Sequence, residues 1–439
     1  MGQGVKKAGV VCALTISLSG CLSNVGGGLG EVSSRLKTPD NTSVTRPATH
    51  TEKVNSESQI IQGLAARRAA LPSGSSFDKV AVSVLAANSR PAEAELRAAR
   101  LRSEAASKNW LPKIGPPVSL SSLGSLMATL VVDQVLFDNG RNKGEREFAI
   151  ADVEVAAVNL AVDTNTRVHT ALTLYTDAVE AREKAALAQT SLQEMGHFAW
   201  VMNERVKGGV SDLSDLNVLN QKLSEIEAEQ RTNTDLAENS IAELNAMSIE
   251  PLSGLRGTPR FDVSSTAAQP LSVVLAEAEK TRAIAAAKVE RASNLPGLSV
   301  GGTVGDVSDI GLQAKSDRLL GLGTGATLQA IEATKETAGR RVAQANEDAN
   351  RQLRKLEGQI AAKSRQRTEA SRLTDQAKEN LDLFQAQYDA GQRQVIDVVG
   401  VYETYARQQQ TVVTLKYETI RLKLEMAQIL GVLADGNAI

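Results

Sequence analysis

The spacing of apolar and polar residues predicts one very long helix and two shorter helices in the first half of the chain. From about Gly144 to Lys207, apolar residues recur at helical spacing without a proline, over roughly 95 Å. Gly208-Gly209 ends this helix, and another is predicted from about Asp212 to Ala246. A modest amphipathic helix from Pro91 to Lys108 precedes them. A helix of this length exceeds a globular domain, so the pattern indicates an elongated molecule.

Between the short first helix and the long helix, apolar and polar residues alternate, which is typical of a strand hairpin. The predicted strands are Val118–Leu120 and Leu126–Phe137, with a turn near Gly124. The sequence Phe137-Asp138-Asn139-Gly140 then ends the alternation. The first half therefore contains, in order, a helix, a strand hairpin, a long helix and a further helix.

The second half predicts the same elements in the same order. Its helices are predicted at Ser272–Arg291, Glu332–Ala390 and Val395–Leu433, and its strands at Leu298–Gly305 and Leu320–Leu328. Each strand has apolar residues on one face and small residues on the other. This pattern is typical of a strand that faces lipid on one side and a lumen on the other.

Two landmarks indicate that the halves are copies of one unit. Leu111-Pro112 and Leu295-Pro296, which end the short helices, are separated by 184 residues. Gly209 and Gly391, which follow the long helices, are separated by 182. Offsets that agree within two residues over the whole unit indicate an internal duplication, because chance similarity of two helices would not reproduce helix ends, strand pairs and turns in one order.

The N-terminus predicts export and lipidation. Two lysines precede a short apolar stretch, Val10 to Leu18, which has the length of a signal-peptide core. The stretch ends in Leu18-Ser19-Gly20-Cys21, which resembles the lipobox of bacterial lipoproteins and implies that Cys21 carries acyl chains such as palmitate. The alternative is an ordinary signal peptide with an incidental cysteine. Residues 22 to about 75, rich in Gly, Ser, Thr, Asn and Pro, predict a tether with little packed structure.

The composition argues against nucleic-acid binding, enzyme activity and metal binding. With 49 basic and 51 acidic residues the net charge is −2, so no strong field directs the chain to nucleic acid. Of the two cysteines, Cys12 lies in the part that is removed, so no disulfide is predicted within the mature chain. His50, His169 and His197 have no metal-ligand or catalytic spacing. We therefore predict no enzyme activity, no metal and no cofactor.

The unpaired backbone groups of the predicted strands indicate that several copies of the chain assemble. A four-stranded sheet with lipid-facing residues leaves two unpaired edges, which cannot persist in hydrocarbon. The sheet must therefore close between chains, and three copies would supply twelve strands, enough for a lumen. The predicted fold class is mainly α with a small β part: a long antiparallel coiled-coil helical barrel joined to a trimeric 12-stranded transmembrane β-barrel.

The doubled plan resembles the TolC-type outer-membrane efflux protein family. The resemblance lies in Leu-Pro before the strands, Phe137-Asp138-Asn139-Gly140 after the first strand pair, and Tyr-x-x-Gly-x5-Asp at a helix turn, Tyr388 to Asp397. It implies a homotrimeric, passive conduit that is lipid-anchored in the outer membrane and extends into the periplasm. It also implies a tripartite export system, for efflux or type I secretion, with a periplasmic adaptor protein and an inner-membrane transporter of ABC or RND type.

The resemblance also implies roles for the two helix turns. Adaptor docking is implied for Gly209, Val210, Gly391 and Gln392. Polar links that hold the tip closed are implied for four residues, the last as part of an acidic ring: Asp215, Tyr388, Arg393 and Asp397. Where the family has a second acidic position this chain has Gly400, which speaks against a strong cation-binding gate. For the two aspartates a second interpretation stays open, namely helix N-terminal acids that interact with the helix dipole.

The predicted organisation is as follows: signal peptide 1–20, lipidated N-terminal tether 21–90, first repeat 91–250, inter-repeat equatorial segment 251–271, second repeat 272–433 and C-terminal tail 434–439. A second functional class shares the lipid anchor and the long hairpins, namely a periplasmic coiled-coil adaptor or a structural lipoprotein. An adaptor should show a lipoyl-like half-motif split by one hairpin, whereas this chain has two strand-helix units. The cargo, small molecule or protein, is left open by the sequence.

Overall fold

The computed structural model describes residues 58–87, 91–115, 118–120, 126–128, 130–304, 309–315 and 321–436. The predicted signal peptide and Cys21 lie outside the described residues. The helices are α1 Gln59–Ala65, α2 Ser76–Ala86, α3 Pro91–Ser107, α4 Arg141–Lys207, α5 Leu213–Ala246, α6 Leu271–Ser293, α7 Thr324–Asp389 and α8 Val395–Leu430. The strands are β1 Lys113–Gly115, β2 Val118–Leu120, β3 Leu126–Ala128, β4 Leu130–Phe137, β5 Gly297–Val304 and β6 Asp309–Lys315.

The helices form a layer in which the two long helices are continuous and the shorter helices change halfway along. The two long helices, α4 with 67 residues and α7 with 66, run the whole length. Next to the strands they pack with the short helices α3 and α6, and beyond the midpoint they pack with α5 and α8. In that second half the order across the layer is α5, α4, α8, α7, because α4 contacts both α5 and α8 and α8 contacts α7. The six helices from α3 to α8 thus form two copies of one three-helix unit, as the duplication predicts.

The main apolar core lies at the middle of the layer, where α3 and α6 give way to α5 and α8. Phe77 of α2 is fully buried and packs edge-on against Tyr175 of α4, with 6.0 Å between ring centroids. Val80 and Val84, one and two turns further along α2, are also fully buried. Burial of three large apolar side chains at helical spacing holds α2 on α4.

The prediction of a tether with little packed structure is therefore wrong for residues 58 to 87. Besides α2, this segment contains α1, whose Leu64 is 1% exposed. The segment also reaches the C-terminal end of α8: the Arg67 guanidinium donates to the carbonyl oxygens of Leu430 and Gln269, and the Gly436 amide donates to the carbonyl of Arg67. The polar composition concealed these contacts because most of them use backbone atoms.

The strands join the two repeats in one sheet. Its order is β1, β4, β5, β6, all antiparallel, and β2 pairs separately with β3. The pair β4–β5 links the first repeat to the second, with Val132 opposite Gly302 and Asp133 opposite Gly301. Among the described residues, β1 and β6 each have a neighbour on one side only. Within the described ranges, the sheet of one chain therefore has two open edges.

The two faces of this sheet differ in chemistry. By register, one face carries mainly apolar side chains, several of them highly exposed: Ile114, Val132, Leu298, Val300, Ile310 and Leu312. The opposite face carries mainly small and polar side chains: Lys113, Asp133, Ser299, Gly301, Thr303, Gly311 and Gln313. The predicted alternation along Leu298–Gly305 agrees with this register. Ile310 is 82% exposed and Leu312 70%, so the apolar face is uncovered in a single chain.

The predicted returning strand Leu320–Leu328 is wrong. The strand that pairs with β5 is β6, Asp309–Lys315, and α7 begins at Thr324. The alternation of Leu with Gly imitates a strand, but the Thr327 amide already donates to the Gly323 carbonyl in the first helical turn. Ile331, one turn later, is buried and continues the apolar stripe of the helix. Leu322 is fully exposed rather than packed in a core.

Through the described ranges, none of the helices combines the length and the apolar character needed to cross a membrane.

Candidate functional site

Two helix turns lie together at the end of the layer furthest from the sheet. In the first, α4 ends and the chain reverses through Gly209, whose φ is +69°. The amide of Val210 donates to the carbonyl of Arg205 at 2.9 Å, and the amide of Gly209 donates to the carbonyl of Val206 at 2.9 Å. This bond pair is a Schellman motif, which satisfies helix carbonyls that would otherwise lack a partner.

The second turn, between α7 and α8, repeats this geometry. Gly391 has a φ of +75°, the Gln392 amide donates to the Gln387 carbonyl at 2.8 Å, and the Gly391 amide donates to the Tyr388 carbonyl at 2.8 Å. Each of these positions is 182 residues after its counterpart. The left-handed conformation favours glycine because a Cβ would approach the following carbonyl oxygen. The offset seen in the sequence is therefore preserved in the hydrogen bonds.

A side-chain hydrogen bond also spans each turn at equivalent positions. In the first turn the Arg205 Nε donates to the Ser211 Oγ at 3.2 Å. In the second turn the Arg393 Nε donates to the Gln387 Oε1 at 3.0 Å. Gln387 is the counterpart of Arg205, and Arg393 is the counterpart of Ser211. The arginine has therefore exchanged sides between the repeats while the bond across the turn is kept.

Arg393 is held within its own hairpin. Its guanidinium carbon lies 4.4 Å from the centroid of the Phe384 ring, a cation–π distance. The Arg393 side chain is exposed and, within the described part of the chain, makes no ion pair with Asp215. The hydrogen bond to Gln387 and the ring contact thus occupy the arginine in a single chain.

The two predicted aspartates occupy the first turns of α5 and α8. Asp397 forms a capping box with Gln394: the Gln394 amide donates to the Asp397 carboxylate at 3.3 Å. At the start of α5 the cap is Asp212, whose carboxylate accepts from the Ser214 amide at 3.1 Å. Asp215 is a first-turn acid and is partly buried. Asp397 therefore caps its helix through a hydrogen bond. Asp215 is a helix N-terminal acid by its position only.

Tyr388 packs against an apolar cluster, the tip cluster, that joins all four helix ends. The tip cluster comprises Met195, Phe198, Ala199, Met202, Leu216, Leu219, Leu381, Val395, Val398, Val399 and Tyr402. Because α4, α5, α7 and α8 share it, the two turns are held side by side. The structure brings Tyr388 to this cluster, whereas none of the four predicted gate residues contacts another by a hydrogen bond or ion pair among the described residues.

The predicted docking positions are uncovered. Gly209, Val210, Gly391 and Gln392 are all exposed, and the Val210 side chain is 69% exposed. On α4, nine residues before Gly209, lies Trp200, 61% exposed, whose ring stacks on His197 with 6.2 Å between centroids. Trp200 is not among the predicted site residues, although an indole on an otherwise aromatic-poor helix is a readable signal. Among the predicted docking positions, Val210 offers an exposed apolar side chain.

A network of charged residues between α4 and α8 was not predicted from the sequence. The Arg421 guanidinium donates to Asp177 and to Glu180, both at 2.7 Å, and Glu180 is 8% exposed. The phenol of Tyr417 donates to Glu183 at 2.6 Å. The readable signal was the spacing of the acids on α4 at i, i+3 and i+6, which places them on one helix face.

Burial raises two pKa values in this network. It raises the pKa of Asp177 above its ordinary value, and the neighbouring Arg421 opposes the rise. Burial also raises the pKa of Tyr417, and its hydrogen bond to Glu183 adds to the effect, so the phenol keeps its proton. The charged residues thus link the first repeat to the second about halfway along the molecule.

Through the described residues, no group of His, Cys, Asp and Glu side chains has the arrangement of a metal site.

Comparisons with known proteins identify solved structures that share this architecture. No protein-family model and no curated protein sequence matches the chain. Solved structures do match: a membrane protein from Pseudomonas aeruginosa has a TM-score of 0.71 at 15% identity, with 83% of this chain and 92% of that chain covered. The outer membrane protein VceC of Vibrio cholerae has a TM-score of 0.68 at 16% identity, covering 81% of this chain and 96% of the other.

A third match is the open state of the MtrE outer membrane channel of Neisseria gonorrhoeae, with a TM-score of 0.68 at 15% identity and coverage of 82% and 90%. At these identities the likeness concerns the fold. The chain has the fold of the TolC-type outer-membrane channels, which confirms the predicted mainly helical architecture with a small antiparallel sheet.

Proposed function

We propose that this chain, which has the fold of outer-membrane channels, forms the outer-membrane conduit of a tripartite export system as a homotrimer. In the proposed assembly Cys21 anchors each copy by its acyl chains, and the helix layer extends into the periplasm. The observation that carries the proposal is the two-faced sheet with two open edges, because an apolar face and unpaired edge strands both require a neighbour or lipid.

The sheet supports this role in detail. One face carries Ile114, Ile310 and Leu312 in exposed positions, and the other carries Lys113 directly opposite Asp133. An apolar outer face and a polar lumen face are what a barrel strand needs. Three copies would close the edge of β1 on the edge of β6 and leave a water-filled path. Such a path conducts passively, so no catalytic residues are required.

The turns support a role in docking and gating. Adaptors would bind at Gly209 and Val210 in one turn and at Gly391 and Gln392 in the other, and an ABC or RND transporter would lie beneath. The exposed Val210 suits an apolar contact with such a partner. In the closed tip, Arg393 would exchange its contact with Gln387 for a polar link to Asp215 or to a neighbouring copy, and Tyr388 and Asp397 would line the constriction.

The alternative is a periplasmic adaptor or a structural coiled-coil lipoprotein. The two complete strand-helix units, joined through the β4–β5 pair, support the channel instead. An adaptor needs neither a duplicated sheet nor an uncovered apolar sheet face. The conduit therefore accounts for more of the described structure than either alternative.

Conductance across a planar bilayer tests the proposal. We expect the purified wild-type protein to insert and to conduct weakly, and Arg393→Ser to conduct several-fold more because the tip loses a polar link. Arg205→Ser, which removes the equivalent hydrogen bond in the first turn, is the matched control. Protein that never conducts would refute the conduit, whereas an unchanged current in Arg393→Ser would remove only Arg393 from the gate.

A further inference from the structure

A cavity lies between α4 and α6 where these helices meet the sheet. Its volume is about 370 Å³, and protein sites for small ligands have volumes of roughly 300–1,000 Å³. It is lined by Lys143, the third residue of α4, and by Arg291, the third residue from the end of α6. Near the sheet the order across the layer is α3, α4, α6, α7. The cavity therefore lies within one chain and away from the edges of the layer.

The cavity opens on the side of the layer that carries the N-terminal segment and the inter-repeat segment. On α4, Glu147 lines the cavity, and Glu154, two turns later on the same face, accepts a hydrogen bond from the Ser58 hydroxyl at 2.6 Å. On α6, Lys288 lines the cavity, and Glu277, three turns earlier, accepts a hydrogen bond from the inter-repeat segment at 3.1 Å. Because the N-terminal segment leads to the lipid anchor of the proposed conduit, this side is its outer side.

The lining of the cavity is basic. It contains three cations, Lys143, Lys288 and Arg291, and one acid, Glu147. The Lys288 ammonium lies 2.6 Å from the Glu147 carboxylate, so these two charges neutralise each other. Lys143 and Arg291 are exposed, and across the part of the chain that the structure describes neither makes an ion pair or a side-chain hydrogen bond. Two positive charges therefore remain for an anionic ligand.

The stability of α4 does not account for Lys143. A helix N-terminus has a positive dipole end, which favours acidic side chains, yet the first turn of α4 contains none. The Asp138 carboxylate, just before the helix, accepts hydrogen bonds from the amides of Gly140 and Asn142 at 3.0 and 2.7 Å. The helix end is thus capped without Lys143, and a lysine there is unfavourable for the helix. An anion bound in the cavity would offset that cost.

Exposed apolar side chains lie next to the cavity at the ends of the strands. Phe137 of β4 and Leu298 of β5 are opposite each other in the register and are 59% and 39% exposed. Asn139, two residues after Phe137, lines the cavity, and its Nδ2 donates to the carbonyl of Pro296 at 2.9 Å. The apolar pair and the cations are therefore separated only by two short, hydrogen-bonded connections. A phospholipid has the same order, with apolar acyl chains next to a phosphate.

We propose that this cavity binds the headgroup of an anionic phospholipid, with Lys143 and Arg291 at the phosphate and Phe137 and Leu298 beside the acyl chains. The inference rests on the proposed function, which places the ends of α4 and α6 at the periplasmic surface of the outer membrane. Arginine and lysine both bind phosphate oxygens through charge-assisted hydrogen bonds. The excess of positive charge favours phosphatidylglycerol over the zwitterionic phosphatidylethanolamine.

Lipid titration followed by native mass spectrometry tests the site. The full-length protein in detergent should bind phosphatidylglycerol, one molecule per chain, at least fivefold more tightly than phosphatidylethanolamine. Lys143→Ala/Arg291→Ala should lose this preference, whereas Lys143→Arg/Arg291→Lys should keep most of it. The matched control, Lys280→Ala/Arg341→Ala, removes two exposed cations that lie further from the sheet and should bind as the wild type does.

A second set of measurements distinguishes a lipid from free phosphate. Inorganic phosphate in large molar excess should leave phosphatidylglycerol bound to the wild type, because phosphate alone lacks the apolar contact. Phe137→Ser should weaken phosphatidylglycerol binding several-fold while both cations stay in place. Displacement by inorganic phosphate, together with unchanged binding in Phe137→Ser, would assign the cavity to free phosphate and overturn the lipid site. Circular dichroism confirms that each variant folds.

The outcomes separate this site from the function. A protein that conducts across a bilayer but binds both lipids equally would refute the lipid site and leave the conduit standing. The same holds if Lys143→Ala/Arg291→Ala keeps the preference for phosphatidylglycerol. A protein that prefers phosphatidylglycerol through these two residues but never conducts would support the lipid site and refute only the conduit.

Discussion

The Arg393 Nε donates a hydrogen bond to the Oε1 of Gln387 at 3.0 Å and thereby closes its own turn. The equivalent bond in the first repeat runs in the opposite direction, from Arg205 to Ser211. The hydrogen bond is present in both turns although donor and acceptor have changed places. This indicates that the bond stabilises the turn itself. In the proposed gate, Arg393 would have to leave Gln387 before it could bind another hairpin, so the local bond would compete with that link.

The positive φ of Gly391 predicts a local loss of stability on substitution. Gly391→Ala should cost about 1 kcal/mol because a Cβ is unfavourable in the left-handed region. Gly400→Ala, inside α8 and with no atom within 4 Å of the added Cβ, should gain about 0.5 kcal/mol. Hydrogen exchange should speed up around residues 387 to 395 in the first variant only. Equal exchange in both variants would contradict the assigned role of this glycine.

A close approach of two helices predicts a second glycine effect. A Cβ on Gly144 of α4 would lie 3.0 Å from the Val289 Cγ2 of α6. Gly144→Ala should therefore destabilise the protein by about 1–3 kcal/mol, measured by thermal unfolding in detergent. Gly339→Ala on α7, which meets nothing within 4 Å, is the control and should be neutral or stabilising. Val289→Ala removes the Cγ2 contact but leaves the Val289 backbone nitrogen 3.3 Å from the added Cβ, so it should relieve only part of the defect. An unchanged stability in Gly144→Ala would contradict the close approach.

The charged network predicts a large effect at Arg421. Arg421→Met leaves Asp177 and Glu180 side by side without the guanidinium, and Glu180 is largely buried. Partial exposure of Arg421 reduces the cost of breaking a buried pair, so we expect about 2–4 kcal/mol of destabilisation by denaturant unfolding. Arg372→Met, which breaks a surface pair with Glu369, should leave the unfolding midpoint unchanged. Similar midpoints for both variants would show that the network contributes little.

Burial of His169 predicts a dependence of stability on pH. Burial lowers the pKa of His169 below 6.5, and Glu425 partly opposes this. Its stabilising neutral form is complete above the unfolded-state pKa of about 6.5, and the contribution is lost as the pH falls through the lower folded-state pKa. His169→Gln should therefore reduce the drop in melting temperature between about pH 7 and about pH 5. The same substitution at His197 is the control, and an equal reduction there would argue against His169 as the source.

Helix ends were predictable because their signals are local. The predicted start of the helix at Val395 is correct, and the predicted end at Lys207 is also correct. Both depend on glycine in the adjoining turn, which marks a left-handed conformation whatever lies nearby. The two helix turns were found for the same reason.

Features that depend on distant residues were missed. The strand assigned to Leu320–Leu328 failed because alternation of Leu and Gly does not reveal which segment pairs with β5. The packing of Phe77 was hidden because its partner Tyr175 is almost one hundred residues away. The contacts of Arg393 with Gln387 and Phe384 were also not predicted. Local patterns locate turns, but they do not identify which side chains meet.

The change of partner helices at the midpoint has a mechanical consequence. Among the described elements, α4 and α7 alone are continuous from the turns to the sheet, while α3, α5, α6 and α8 each end or begin between them. A torque applied at the turns by a bound protein can reach the strands only through these two rods. The main apolar core and the packing of α2 on α4 brace the point where α5 and α8 give way to α3 and α6. A bend at that point would have to disrupt this core, so a displacement of the turns should be passed on to the strands.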